Sequence, residues 1–181
     1  MNLYHIIILS ITLALSGCQN NKAPIEEIDY EAYVGVEIAE DVTIYHSDSA
    51  LIKANISGPE FIRYTNVSAP YEKFPKGVHV IFYDKKSQPE SWLIANSAIR
   101  DQLDEKVTVE GDVLLYNNLG DTLETSQLIW EEKTGKIFTH RFVKLTKPDR
   151  IIMGYGFESN QEFSTGHIKA VEGNWAIELG E

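Results

Sequence analysis

The residue types that most often carry enzymatic chemistry form no catalytic or metal-binding pattern in this sequence. The five histidines show neither the HxH nor the HxxxH spacing through which imidazoles commonly share a metal ion. Acidic pairs such as Glu131-Glu132 and Asp104-Glu105 stand beside turn residues, where neighbouring carboxylates are normally solvated. No nucleophile elbow, P-loop or dinucleotide-binding glycine motif is present. We therefore predict no catalytic residues, no metal site and no cofactor, and we do not expect an enzyme.

One residue is nonetheless placed for covalent modification. Cys18, the only cysteine, directly follows Leu15-Ser16-Gly17 at the end of an apolar run. A helix over residues 3–17 would reach about 22 Å, short of the roughly 30 Å core of a bilayer, which is typical of a signal peptide. The small pair before the cysteine resembles the lipobox of bacterial lipoproteins, in which the thiol is diacylated and the signal is cleaved before it. We predict a signal peptide over residues 1–17 and lipidation of Cys18; the alternative is an ordinary secreted protein with an incidental cysteine.

Composition limits the class of protein to which the chain can belong. The chain has 181 residues and a formal net charge of −11, which argues against nucleic-acid binding. Hydrophobic residues make up 43%, enough to build the core of one ordinary domain. Residues 18–41 are predicted to be an acidic tether, because residues 26–48 hold eight acids and neither Lys nor Arg.

From residue 42 onward the sequence predicts one all-β domain, residues 42–181. Runs rich in β-branched and aromatic residues alternate apolar and polar positions, and no convincing helical period of ten or more residues occurs. Turn residues separate these runs, among them the Ser-Gly-Pro sequence at 57–59. The clearest strands are predicted at residues 42–46, 78–83, 107–110, 113–116 and 137–145.

Two columns of apolar residues recur about every 30 residues. Leu93, Leu123 and Ile152 occupy matched positions of the first column, and Leu115 and Leu145 occupy matched positions of the second. Each repeat would be a pair of strands that cannot bury its apolar face alone, so we expect the stacked repeats to share one interior. Matched residues within a strand are two apart and therefore point to the same side.

These repeats resemble the OstA-like β-jellyroll proteins of lipopolysaccharide export. Residues 70–84 and 154–163 are similar to segments of the LptC branch, and the resemblance extends over about residues 42–175. Better-known members of that branch are anchored by an N-terminal transmembrane helix, whereas this chain offers a lipobox.

The resemblance implies a twisted open sandwich of short antiparallel strands and a chaperone-like lipid carrier. Members of the branch sit on an inner-membrane ABC transporter and accept lipopolysaccharide from its permease subunits. They pass the lipid to a soluble periplasmic jellyroll partner by edge-to-edge strand pairing. The protein is therefore expected in the cell envelope, at the periplasmic face of the inner membrane, held there by its lipid anchor.

A lipid with several acyl chains needs a long apolar groove, because apolar burial supplies about 25 cal/mol per Å² without specific contacts. The alternative is that the same inward residues form only a dry sandwich core. The residues predicted to line the groove are Ile44, Val80, Phe82, Leu93, Val113, Leu115, Leu123, Val143, Leu145 and Ile152.

Basic residues concentrate in one segment of this acidic chain. Residues 133–150 contain six Lys and Arg and a single acid, Asp149. We predict that Arg141 and Lys144 bind headgroup phosphates, with Arg141 on the inward side because the repeat aligns it with Gly111. The alternative is the solvated outer face of a hairpin.

The last repeat has no further neighbour, so its final strand is expected to be a free edge. Ile168, Lys169, Ala170 and Val171 are predicted to be the edge on which the jellyroll partner docks by strand addition.

A lipid-anchored sandwich that binds envelope glycans or another protein is the alternative function. Such binding needs aromatic side chains exposed together on one face, and the candidates are Trp92, Trp130, Trp175 and the tyrosines.

Overall fold

The computed structural model describes residues 35–176, and the regular secondary structure in this part of the chain consists of β-strands. The prediction of an all-β domain is thereby confirmed. No helix long and apolar enough to cross a membrane lies within these residues. The strands are β1 (Val36–Asp48), β2 (Leu51–Tyr64), β3 (Tyr71–Phe74), β4 (Val78–Tyr83), β5 (Pro89–Ala95), β6 (Ser97–Asp101), β7 (Lys106–Asn117), β8 (Thr122–Glu131), β9 (Lys136–Lys147), β10 (Arg150–Asn160) and β11 (Gly166–Ala176).

The strands form one antiparallel sheet that follows the chain as a meander. β1 pairs with β2, and β7 to β11 pair each with the next. β3 and β4 both pair with β2 at different points along it, and β5 and β6 both pair with β7. The short strands are therefore the halves of two long strands, interrupted around Gly77 and Asn96.

The uninterrupted long strands bend near their midpoints. In β7 the ladder to β8 shifts register between Glu110 and Val113, where Gly111 and Asp112 have φ angles of 78° and 45°. In β1, Asp41 has a φ of 51° and stands opposite Pro59 of β2, which has no N–H to donate. Bulges of this kind bend a strand sharply without ending it.

Two sequence predictions are wrong for this reason. The Ser-Gly-Pro sequence at 57–59 is a bend inside β2 and not a turn between strands. Residues 107–110 and 113–116 belong to one strand, β7, and not to two. Glycine, proline and left-handed residues break local alternation in bends as they do in turns, so the sequence pattern does not separate the two cases.

The bends fold the sheet over on itself. Phe82 lies in the row of Asn117, at the C-terminal end of β7, while Trp130 pairs with Val107 at the other end of that strand. In a flat sheet about ten residues of strand, roughly 33 Å, would separate these two rows. The ring centroids of Phe82 and Trp130 are 5.1 Å apart. The sheet is thus a two-layered sandwich, as expected of a β-jellyroll.

We name the layers by their short strands. The β4–β5 layer holds β4, β5 and the adjoining halves of the long strands, and the β3–β6 layer holds β3, β6 and the opposite halves. The two layers share one hydrophobic core. Its largest fully buried side chains include Phe82, Leu93, Leu115, Leu123 and Phe157.

The N-terminal edge of the sheet begins earlier than the sequence predicts. β1 starts at Val36, so residues 36–40 pair with β2 and are not part of the predicted tether. The signal peptide over residues 1–17, Cys18 and the tether up to residue 34 lie outside the described residues.

Candidate functional site

A continuous row of apolar side chains crosses the interior of the β4–β5 layer. Directly opposed ladder partners run from β1 through β2, β4, β5, β7, β8 and β9 to β10. In order, the members of the row are Ile44, Ile56, Val80, Leu93, Leu115, Leu123, Leu145 and Ile152.

The structure brings all ten predicted groove residues to this interior. Seven are members of the row, and Phe82, Val113 and Val143 lie two residues further along strands that contribute to it. Ile44 and Ile152, at the ends of the row, are half-buried and pack against the core, and the other eight are buried. Their contact with lipid stays a prediction.

The interior opens into a cavity near β1. The cavity has a volume of about 270 Å³, and its floor contains Ile56, Val80, Phe74 and Trp130. This volume is slightly below the roughly 300–1,000 Å³ of typical ligand pockets.

A ladder of four charged residues borders the cavity, and three of them, Arg63, Glu72 and Arg100, line it. Glu37, Arg63, Glu72 and Arg100 oppose one another in order on β1, β2, β3 and β6. Arg63 Nε donates to Glu72 Oε1 at 2.9 Å, and Arg100 Nη1 donates to Glu72 Oε2 at 3.2 Å. Arg63 Nη1 donates to Glu37 Oε2 at 3.0 Å. We call these four residues the charged ladder.

Glu132, just after β8, completes the charged wall. Arg100 holds its carboxylate with two hydrogen bonds, from Nε at 2.5 Å and from Nη2 at 2.9 Å. The bond to Glu132 raises the pKa of Arg100 well above its ordinary value, although partial burial opposes the shift. The bond to Glu72 likewise raises the pKa of Arg63. These charges are fixed by bidentate and bridging bonds, so the wall is polar but rigid.

The charged ladder was not predicted from the sequence. The sequence does contain a signal for it, which is the spacing along the strand. Glu72 lies two residues from buried Phe74, and Arg100 lies two residues from buried Ala98. Alternation therefore points both charges inward.

The strand ends of the two layers meet at what we call the mouth. The connections at 84–88 and 118–121 border it on one side, and those at 132–135 and 161–165 border it on the other. A polar groove of about 560 Å³ lies along the mouth between Lys53 and Gln161. His46 and Glu132 line both this groove and the apolar cavity, so the two spaces meet at these residues.

The connection between β10 and β11, residues 161–165, lies across the mouth, and we call it the latch. Ser91 Oγ donates to the carbonyl of Gln161 at 2.9 Å, and Asn117 Nδ2 donates to the carbonyl of Phe163 at 2.8 Å. Both donors belong to the β4–β5 layer. On the opposite side, the Gln161 N–H donates to the carbonyl of Gly135 at 2.8 Å.

The side chains of Gln161 and Phe163, two of the five latch residues, are buried between the layers. Trp130 Nε1 donates to Gln161 Oε1 at 3.3 Å, and the Phe163 ring meets Phe157 edge-on with centroids 5.9 Å apart. Phe163 has a φ of 52°, a left-handed conformation that costs a residue with a Cβ about 1–2 kcal/mol. This conformation is held by the surrounding contacts.

The prediction that Arg141 points inward is wrong. Between the aligned pairs of β8 and β9, four residues of β9 face three of β8, so the ladder is interrupted at the bend. His140, Arg141 and Phe142 are exposed there in succession. Arg141 is therefore on the outer surface, while Thr139 and Val143 on either side of it remain buried.

Acidic side chains form ion pairs with most of the basic residues in segment 133–150. Lys144 Nζ lies 2.6 Å from Glu124 Oε2, and Lys136 Nζ lies 2.6 Å from Glu158 Oε1. Lys147 pairs with Asp121, and Arg150 pairs with Asp149. Binding of headgroup phosphate by Arg141 and Lys144 stays a prediction, but Lys144 would have to exchange Glu124 for a phosphate.

The predicted docking strand lies at an edge of the sheet. Within residues 35–176, β11 pairs with β10 alone. Lys169, Ala170 and Val171 are exposed, and Ile168 is half-buried against the core. Docking of a partner on these residues remains a prediction.

The tryptophans do not share an exposed face. Trp130 is buried, Trp92 is half-buried and stacks on Tyr116, and Trp175 is exposed on β11. This scatter gives no support to the alternative of a glycan-binding face built on the three tryptophans.

Comparison with models of known protein families identifies the family of this chain. The family model described as "Lipopolysaccharide-assembly, LptC-related" matches residues 53–173, which is more than half of the sequence. The chain belongs to this family, as the resemblance implied. A search of curated proteins found no matching sequence. Membership implies a role in lipopolysaccharide transport in the cell envelope, as a transport or binding component.

Proposed function

We propose that this LptC-related protein binds lipopolysaccharide between its two layers. On this proposal it receives the lipid from the permease subunits of an inner-membrane ABC transporter and passes it to a soluble periplasmic jellyroll protein. The observation that carries the proposal is the unbroken apolar row from Ile44 to Ile152. Each buried methylene contributes about 0.8 kcal/mol, so such a row binds acyl chains without specific contacts.

The charged ladder and Glu132 support a defined orientation of the lipid. The cavity has an apolar floor and a charged wall, and it meets the polar groove at the mouth. Acyl chains would lie against the floor, while the headgroup would remain in the groove. Arg63 and Arg100 line the cavity and would offer donors to headgroup oxygens that reach it, in competition with the carboxylates that hold them.

Photo-crosslinking tests where the lipid lies. A photoreactive amino acid at Ile44 or Ile152 would face the interior, and both positions are only half-buried. Thr43 and Met153 are matched controls, because adjacent strand residues point to opposite faces. We expect lipopolysaccharide adducts at Ile44 and Ile152 and none at Thr43 and Met153. Equal adducts at all four positions, or none at the inward pair, would contradict binding between the layers.

The anchor is a separate part of the proposal. We propose that Cys18 is lipidated and holds the protein at the periplasmic face of the inner membrane. Cys18→Ser should then remove the lipid adduct and leave an uncleaved or soluble form, which mass spectrometry and fractionation would detect. Normal membrane association of a wild-type protein that carries no lipid adduct would disprove the lipobox.

A further inference from the structure

We infer that the latch, residues 161–165, is a gate that holds the mouth closed and must leave it before a lipid can lie between the layers. This inference rests on the proposed function, since it concerns access to the same interior. The first observation is the size of the cavity, which at about 270 Å³ is small for a lipid with several acyl chains. The central residues of the apolar row, such as Leu115 and Leu123, are completely buried in the closed state.

The latch is the connection at the mouth that bonds to both layers. It accepts hydrogen bonds from Ser91 and Asn117 in the β4–β5 layer, and it bonds to Gly135 in the β3–β6 layer. Phe163 fills the space between the layers beside Phe157. Loss of these contacts would free the latch while the sheet itself stays intact, because none of them belongs to a β-ladder. The ring contact of Phe82 with Trp130 and the 3.6 Å contact of His46 Nδ1 with Glu132 would still join the layers and would have to part as well.

Two features favour release over permanent closure. Phe163 is held in a left-handed conformation, which relaxes when the residue leaves the mouth. Partial burial raises the pKa of Glu90, and repulsion from Glu162 of the latch and from Asp84 raises it further. Lys85 and Lys86 line the same pocket and offset part of this repulsion. Backbone strain and the remaining repulsion oppose closure, while burial and hydrogen bonding hold it.

The first test loosens the latch in the full-length protein. Phe163→Ala removes the buried ring, Ser91→Ala removes one hydrogen bond with little change of shape, and Phe142→Ala is a control on the exposed outer surface. Opening is monitored through Trp130, with Trp92 and Trp175 replaced by Phe in every variant. Acrylamide should quench Trp130 more strongly in Phe163→Ala and Ser91→Ala than in the control.

Lipid binding by the same variants shows whether opening limits access. The apparent Kd varies inversely with the fraction of molecules in the binding-competent state. A variant that raises that fraction about tenfold should therefore bind purified lipopolysaccharide about tenfold more tightly. If Phe163→Ala does not fold, Ser91→Ala alone decides the matter, with a smaller change in the same direction.

The second test closes the latch covalently. Lys86→Cys and Ser164→Cys place thiols on two residues that line the same surface pocket at the mouth, to be linked by a bifunctional thiol reagent. Each variant with only one of the two substitutions, treated identically, is the control and also reports any reaction of the reagent with Cys18. The linked protein should lose lipopolysaccharide binding, and the controls should keep it. Equal binding by linked and control proteins would overturn the gate and leave the proposed function standing, whereas no binding by the wild-type protein would overturn the proposed function itself.

Discussion

Leu115 of β7 lies directly opposite Leu123 of β8 in the antiparallel ladder, and both side chains are completely buried. Leu93 of β5 and Leu145 of β9 continue the row on either side. The 30-residue period of the sequence thus has a simple origin: one repeat is one hairpin of two long strands. Every second strand returns to the same place in the row, so an apolar residue recurs there.

Truncation within this row should be costly. Leu115→Ala removes a fully buried side chain, and we expect a loss of about 2–5 kcal/mol in the free energy of unfolding. Leu114, the adjacent residue, is half-buried on the outer face, so Leu114→Ala should cost clearly less. Denaturant unfolding of the two variants makes the comparison. Equal losses would show that Leu115 does not pack in the interior as described.

Removal of Arg100 should leave the Glu132 carboxylate buried without its main partner. The side chain of Glu132 is 5% exposed, and loss of one member of a buried ion pair typically costs about 3–5 kcal/mol. We expect a loss of that size for Arg100→Leu and partial recovery in the double variant Arg100→Leu/Glu132→Leu. Arg150→Leu, which breaks an exposed pair, is the control and should change the unfolding midpoint little. Strictly additive effects of the two substitutions would mean that Arg100 and Glu132 are not coupled.

The acidic side of the mouth should give stability a specific pH dependence. Partial burial raises the pKa of Glu90 above its ordinary value of 4.5, and repulsion from Glu162 and Asp84 raises it further. A raised pKa in the folded state means that Glu90 favours folding while it is protonated, and that this contribution is lost as the pH rises through the folded-state pKa.

Glu90→Gln tests this dependence because it removes the charge. The variant should be more stable than wild type at about pH 7, by less than roughly 1 kcal/mol because Glu90 is only partly buried and solvent screens its charge, and the gain should vanish below about pH 4. Urea midpoints at the two pH values measure it. Glu124→Gln removes the partner of Lys144 and should give no gain at neutral pH. A gain for Glu90→Gln that persists unchanged in acid would rule out charge as its cause.

The β11 edge can be tested against the β1 edge. Proline removes a donor and fixes φ, so Lys169→Pro should weaken docking of the soluble jellyroll partner if the N–H of Lys169 faces outward. Thr43→Pro makes the same change in β1, which pairs only with β2 within the described residues, and should leave docking intact. A pull-down with both variants, each first shown to be folded by circular dichroism, compares the edges. Undiminished binding by Lys169→Pro would place the docking edge elsewhere.

Local alternation and the repeat predicted the interior residues correctly because burial in a strand follows period two. The same rule failed for Arg141, since the bend in β9 exposes three successive residues where the repeat implies an inward one. Glu72 and Arg100 were not predicted, although alternation with Phe74 and Ala98 points them inward, because charged residues are expected on the surface from their type alone. The latch left no local signal, as the contact between Ser91 and Gln161 joins residues 70 positions apart.

Native mass spectrometry of the full-length protein, extracted from its own envelope in mild detergent, tests the central claim most directly. We expect a bound species whose mass and fragmentation identify lipopolysaccharide, and we expect its occupancy to fall in a folded variant that carries Asp at Ile152, within the apolar row. Protein that is free of lipid, or that carries lipid at undiminished occupancy in the Ile152→Asp variant, would contradict binding between the layers.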